Sequence, residues 1–286
     1  MGQKILYSPV VKIIIGLIVC GGIVQIGQFL IQQLLNSMVI NEDAEYLIGG
    51  IFTSILAIVS YSVLYKIYEK REITELSING IGKNLIIGVI LGIVLQLLTI
   101  LVIYLKGGYT VVSINPIVFI IPSLIISITV AITEEILIRG IIFRIIEEKL
   151  GSYLALFISA SIFGALHLVN PNSSLIVGIG LAIQAGLLLA VAYMYSRNLW
   201  FPIAVHFAWN FTQGGIFGAN VSGGGFSKTL ITSQIEGAEW FTGGAFGPEG
   251  SIQATVFCLT ATIILLILCH QKGKIVKPYW SKTTNG

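Results

Sequence analysis

Apolar residues in this chain come in runs too long for one face of a soluble helix and too continuous for the alternation of a half-buried strand. Runs near 10–39, 46–67, 84–105, 116–146, 153–168, 174–196, 199–217 and 252–270 are built mainly from Ile, Leu, Val, Phe, Ala and Gly. A helix rises 1.5 Å per residue, so about 20 apolar residues cross about 30 Å of hydrocarbon. The pattern therefore predicts an all-α, polytopic membrane bundle of about eight transmembrane helices. The fourth run begins at Pro116 and continues as helix past Glu134 to about Lys149, where Gly151 supplies a stop. At roughly 50 Å it is longer than a crossing needs. Its last turns, Arg144 to Lys149, are expected to emerge with Glu147 and Glu148 as solvated surface charge.

Charge sets the orientation. Short cytoplasmic loops carry the excess of Lys and Arg. With both termini cytoplasmic, the inner side holds Lys4, Lys12, Lys66, Lys70, Arg71, Lys83, Arg139, Arg144, Lys149, Arg197, Lys272, Lys274, Lys277 and Lys282, 14 of the 16 basic residues, leaving Lys106 and Lys228 outside. The acidic stretch Asn41-Glu42-Asp43-Ala44-Glu45 also falls outside. A composition 55% hydrophobic and 10% charged, with mean hydropathy +0.93, fits a membrane protein and not a soluble domain of this length. Topology accounts for the net charge of +3, so no nucleic-acid partner is implied; membrane lipid is the expected surrounding. The Ile- and Lys-rich composition points to a bacterium with an AT-rich genome.

A single membrane domain over 1–286 is expected, since the longest polar stretch is too short to bury a core. Within it, 1–115 holds the first three helices and 116–215 the polar clusters described next. Residues 216–251 form an extracytoplasmic Gly-rich loop, and 252–286 the last helix and basic tail. The segment from Gly214 to Gly250 contains eleven glycines and reads as a flexible loop, with a re-entrant cap as the alternative. The first run follows Lys4 and lacks a small-residue cleavage site, so it reads as a retained helix. Met1-Gly2 resembles a myristoylation start, but Leu6 stands where Ser or Thr is required. Cys20, Cys258 and Cys269 lie in apolar runs without metal or redox spacing and are expected to be inert.

Three polar clusters interrupt the apolar helices: Glu134-Glu135 with Arg139, Phe163 with His167, and His206 with Asn210. A charge at the bilayer centre costs roughly 2.5–3.5 kcal/mol on insertion scales, so such residues usually face a protein interior and mark a site. The members of each pair stand four residues apart on one helical face. Glu134 and His167 lie sixteen residues on either side of the Leu150-Gly151 turn, about 24 Å along each arm of a hairpin, and so meet at one level. Glu135 can pair with Arg139, which lowers the cost of burying a second carboxylate and leaves Glu134 free to face His167. A general base (Glu134), an orienting imidazole (His167) and two donors for a developing oxyanion (His206 and Asn210) are the parts of a hydrolytic site without a Ser or Cys nucleophile. Each residue also has a structural alternative: Glu135 with Arg139 as structural glue within one helix, His167 and Asn210 as satisfied interhelical hydrogen-bonders, Phe163 as core packing.

The three motifs Glu134-Glu135-x-x-x-Arg139, Phe163-x-x-x-His167 and His206-x-x-x-Asn210, in that order, with Gly140 and Leu199-Trp200-x-Pro202 beside them, resemble the CAAX protease and bacteriocin-processing (CPBP, or Abi) family. That family contains the type II CAAX prenyl endopeptidases. The resemblance covers about 116–215. It implies an intramembrane peptidase with a cavity open to the cytoplasm, acting on a membrane-associated protein or peptide. Glu134 and His167 would activate water, His206 and Asn210 would hold the oxyanion, and Glu135, Arg139 and Phe163 would support them. Members have been described both as metalloproteases and as glutamate peptidases. No cofactor is the preferred expectation; the alternative is zinc on Glu134, His167 and His206, although the H-E-x-x-H pattern is missing. Other functions consistent with the residues are a non-enzymatic membrane scaffold or bacteriocin-immunity protein, and a transporter using the carboxylates as a proton relay.

Overall fold

The computed structural model describes residues 8–281; Lys4, Lys282 and the Met1-Gly2 and Leu6 positions lie outside them. Helix α1 spans Pro9–Asn36, α2 Glu42–Tyr68 and α3 Ile81–Leu105. Helix α4, Ile120–Glu135, widens into π-helical bonding over Ile136–Phe143 and runs on into α5, Arg144–Leu166. Then come α6, Leu175–Ser196, α7, Trp200–Asn210, and α8, Ile252–Gln271. Strands β1, Tyr109–Ile114, and β2, Ile231–Ile235, form one antiparallel ribbon.

Among the described residues, six helices are long and apolar enough to cross a membrane, against the about eight expected. The difference has two sources. The runs 116–146 and 153–168 follow each other within one 53-residue stretch, Ile117–Val169, that is helical on both sides of a break at Gly151 and so counts once. The run 199–217 yields an 11-residue helix and a six-residue π-helical extension, Phe211–Ile216, shorter than the roughly 20 residues of a straight span.

Gly151 is nonetheless a sharp turn. Its φ of 79° and ψ of 168° belong to glycine, and a Cβ there would lie 2.8 Å from the Val276 carbonyl oxygen. The chain after Gly151 returns beside the π-helical stretch Ile136–Phe143, where Phe163 packs with Ile138 and Ile142. Elsewhere α1 packs on α2, α2 on α4, α3 along α7, and α6 on α8. The α3–α7 approach is close because Gly92 has no side chain: a Cβ would sit 2.5 Å from the Val205 carbonyl oxygen. The main core lies between these helices and includes Tyr61, Ile141, Phe143, Leu188, Met194 and Leu199.

One end of the bundle is a network of ions. Glu69 pairs with Lys12 at 3.0 Å, Arg71 at 2.7 Å and Arg144 at 2.9 Å, and Arg71 reaches Glu75 at 2.6 Å. Burial alone would raise the Glu69 carboxyl, but Arg144 and the hydrogen bonds from Lys12 and Arg71 outweigh it and hold the group below its usual range. Glu75 is likewise held low, burial being outweighed by Arg71 and the Tyr61 hydroxyl. Glu147 corrects the expectation of a solvated end: it is 4% exposed, accepting from Ser152 at 2.6 Å and Arg197 at 2.5 Å. The chain after α8 folds back over it, with the Ser152 amide donating to Val276. Glu148 is exposed as expected.

The other end carries the ribbon and the Gly-rich segment. The latter is an ordered cap, not a flexible loop. Ala219, Phe246, Pro248, Glu249 and Ser251 within it are buried, the side chain of Asn170 donates to Ser222, and Lys228 pairs with Asp43. Its amides find partners in β1 and in its own turns, which is the alternative to solvation for so much backbone.

Candidate active site

Each polar cluster stands where its helix departs from regular geometry. Glu134 and Glu135 end α4 at the π-helical stretch, His167 follows the last residue of α5, and His206 and Asn210 precede the π-helical extension of α7. Local π-helical bonding is rare and recurs at functional sites, because it rotates side chains out of the regular stripe and frees carbonyls.

Glu135 is fully buried between Arg139 and His206. Arg139 Nη1 donates to Glu135 Oε1 at 2.8 Å, and His206 Nδ1 lies 3.0 Å from the same oxygen. The expected i, i+4 pair is present, but the bond to His206 was not anticipated: no spacing rule links residues 71 apart. Arg139, itself 0% exposed, also donates Nη2 to the Ala185 and Gly186 carbonyls at 2.9 and 3.1 Å, beside the π-helical turn Ala182–Gly186 of α6. Its guanidinium lies 4.7 Å from the Phe163 ring centroid. Phe163 thus packs as a core residue and also forms one wall of the charge cluster.

Glu134 points differently, with about a third of its side chain exposed, and its Oε2 lies 4.0 Å from His206 Nε2. His167 Nδ1 is 2.8 Å from the Phe163 carbonyl, which can only accept. That bond places a proton on Nδ1 and leaves Nε2 of neutral His167 as a lone-pair acceptor. The imidazole also lies against the Phe163 ring, with centroids 4.5 Å apart. By the same reasoning the His206 Nδ1–H donates to the Glu135 carboxylate and aims Nε2 at Glu134.

Glu134, His167, His206 and Asn210 all line one cavity of about 280 Å³. Ser127 and Val130 of α4 form part of its wall, and Ser222, Gly225 and Phe226 of the cap complete its lining. Glu134 and His167 also border an adjoining space of about 160 Å³. One residue of this neighbourhood escaped the sequence. Glu249, 3% exposed, accepts from Trp209 Nε1 at 3.2 Å and from Ser222 N at 2.5 Å, so it pins the cap to α7. It borders a small void shared with His167, His206 and Asn210. A single Glu in a Gly-Pro-Glu-Gly stretch reads as a loop acid, and no periodicity connects it to the site.

The alternative zinc trio is not assembled. Among the described residues no group of three or more His, Cys, Asp or Glu side chains is placed to hold a metal ion. Cys20, Cys258 and Cys269 are free and buried.

Residues 116–212 match a family profile described as type II CAAX prenyl endopeptidase Rce1-like. Over that stretch the chain has the CAAX/Abi-CPBP membrane peptidase fold. It is a multi-pass membrane protein and a CAAX/CPBP-like intramembrane hydrolase of the protease type, with Glu, His and Arg side chains clustered at its centre. No curated protein and no solved structure matches the chain.

Proposed function

We propose that the chain is an intramembrane endopeptidase that hydrolyses a peptide bond of a membrane-associated protein or peptide with water activated by Glu134 and His167. The observation that carries the reading is the convergence of Glu134, His167, His206 and Asn210 on one cavity, with His206 tethered to a buried carboxylate. The Glu134 carboxylate takes one proton from water while His167 Nε2 accepts a hydrogen bond from the O–H that remains, and the resulting hydroxide oxygen attacks the carbonyl carbon. The carbonyl oxygen becomes an oxyanion facing Nε2–H of protonated His206 and the amide N–H of Asn210. Collapse breaks the C–N bond, and the proton held by Glu134 passes to the leaving amine.

Charge balance supports protonated His206. Glu134, Glu135, Arg139 and His206 sum to zero with the imidazole charged, and burial favours a neutral set. Glu135 acts through His206, positioning the ring and supporting its charge, while Arg139 and Phe163 hold Glu135 in place.

In this reading the single membrane domain passes between the two ends eight times, with both termini cytoplasmic. The Gly151 turn divides the 53-residue unit into two passes, and α7 with its extension makes another. The test is comparative peptide mass spectrometry of membranes from cells bearing the wild-type chain or Glu134→Gln. Peptides present only with the wild type are expected. Identical peptide sets, with the variant folded and inserted, would instead favour a non-enzymatic scaffold or immunity protein.

A further inference from the structure

Beside the catalytic cavity lies a smaller void, and it holds an acid that the reaction does not use. His167, His206, Asn210 and Ser222 line both spaces, whereas Glu249 and Trp209 border the void and not the cavity. Much of the remaining wall is apolar, with Phe163, Leu181, Leu188 and Val205 each 3% exposed or less. A carboxyl in such surroundings is costly unless hydrogen bonds replace the water it has lost.

Three donors supply those bonds. Glu249 Oε1 accepts from the Ser222 amide at 2.5 Å and from Ser222 Oγ at 3.0 Å, and Oε2 accepts from Trp209 Nε1 at 3.2 Å. Only an ionised carboxylate offers acceptors on both arms of the fork; a Gln here would turn an NH2 against one of the donors. Holding the cap does not by itself call for this group. Asn170 already donates to the Ser222 carbonyl at 3.2 Å, Gln213 Nε2 to the Asn220 carbonyl at 2.6 Å, and the Gly223 amide to the Phe246 carbonyl at 2.9 Å. What Glu249 adds is a clamp on two residues of the site. Trp209 directly precedes Asn210, where α7 passes into its π-helical extension, and Ser222 is part of the cavity wall.

We infer that Glu249 is a positioning residue for the hydrolytic reaction: by holding Trp209 and Ser222 on one carboxylate, it fixes Asn210 relative to the cap wall of the cavity. The inference rests on the hydrolytic reading of Glu134, His167, His206 and Asn210. Glu249 itself does not line the cavity, so its effect reaches the reacting atoms through Asn210 and Ser222. A displacement of about 1 Å at a catalytic group can cost about a hundredfold in rate. Loosening the clamp therefore lowers kcat, while the other contacts that hold substrate, and with them KM, stay in place.

Kinetics and hydrogen exchange read the clamp separately. The substrate is a peptide found by the mass-spectrometric comparison, and rates are taken at a temperature where each protein is folded. Glu249→Gln is expected to lower kcat by about 10–100-fold, with KM within about threefold of wild type. Adding Trp209→Phe removes the N–H that the Gln amide opposes, so the double variant should regain kcat up to the level of Trp209→Phe alone. Trp209→Phe, with one hydrogen bond lost, should lower kcat by about two- to tenfold, and it decides the matter should Glu249→Gln not fold. A clamp that serves only the fold leaves kcat of the folded variants at the wild-type value. That result would overturn the inference, as would a change confined to KM or a double variant no better than Glu249→Gln. In Glu249→Ala, exchange at the Ser222 amide should quicken by about tenfold while α2 and α3 keep their protection. Wild-type exchange at Ser222 would contradict the clamp. Cleavage that persists undiminished in Glu134→Gln would sink the hydrolytic reading instead, with the exchange result still deciding whether Glu249 holds Ser222.

Discussion

Replacing Glu135 by Gln keeps the size of the side chain and removes one charge from a site with no solvent to screen it. Arg139 is then left with the carbonyls of Ala185 and Gly186 and the face of Phe163, and His206 loses its carboxylate partner. Breaking a buried ion pair by neutralising one member typically costs about 3–5 kcal/mol, since the remaining charge is uncompensated. At 1.4 kcal/mol per tenfold, 3 kcal/mol is about a hundredfold in the folded-to-unfolded ratio. Thermal unfolding in detergent should therefore shift down by roughly 10 °C, at about 2–4 °C per kcal/mol for chains of this size. Peptidase activity should fall as well, because the ring that faces the oxyanion loses its tether. The double variant Glu135→Leu/Arg139→Met separates charge from packing. Removing both members should be less damaging than the sum of the single changes, with a coupling of about 0.5–3 kcal/mol. A Glu135→Gln protein that melts and cleaves like the wild type would refute the argument, as would strict additivity in the double variant.

Acid should weaken the end of the bundle that carries the ion network. Glu69 and Glu75 are held below the usual carboxylate range, so the stability they contribute is complete above an unfolded value of about 4.3 and is lost as pH falls through their lowered values. Melting temperature should drop in that acid window, and Arg144→Gln should shrink the drop; a rise on acidification would contradict the sign. Gly92→Val should force α3 from α7 and cost about 1–3 kcal/mol by overpacking, measured as a lowered unfolding midpoint; an unchanged midpoint would show that the contact is slack. Activity of the purified protein should survive a strong chelator. Loss with the chelator and recovery with zinc would overturn the metal-free mechanism.

How legible the chain was follows from the range of each interaction. Apolar runs and the Gly151 turn are local, and periodicity gave the helices to within a few residues at most ends, along with the hairpin that carries Glu134 and His167. The i, i+4 pairing of Glu135 with Arg139 was readable for the same reason. Contacts across the fold were not. The bond from His206 to Glu135, the burial of Glu147 under the returning tail and the anchoring of Ser222 by Glu249 all join distant segments. Glycine content misled in the cap, because it signals backbone freedom whether the backbone is solvated or, as here, paired and packed.

The most direct measurement is the cleavage rate of a peptide identified by mass spectrometry, taken with purified wild type and Glu134→Gln at matched folding. Glu134 is partly exposed and has no close ion-pair partner beyond His206 at 4.0 Å, so the variant should melt like the wild type. As the general base, its loss should lower the rate by about 10²–10⁴-fold. Wild-type melting with undiminished cleavage in Glu134→Gln would contradict the account at its centre.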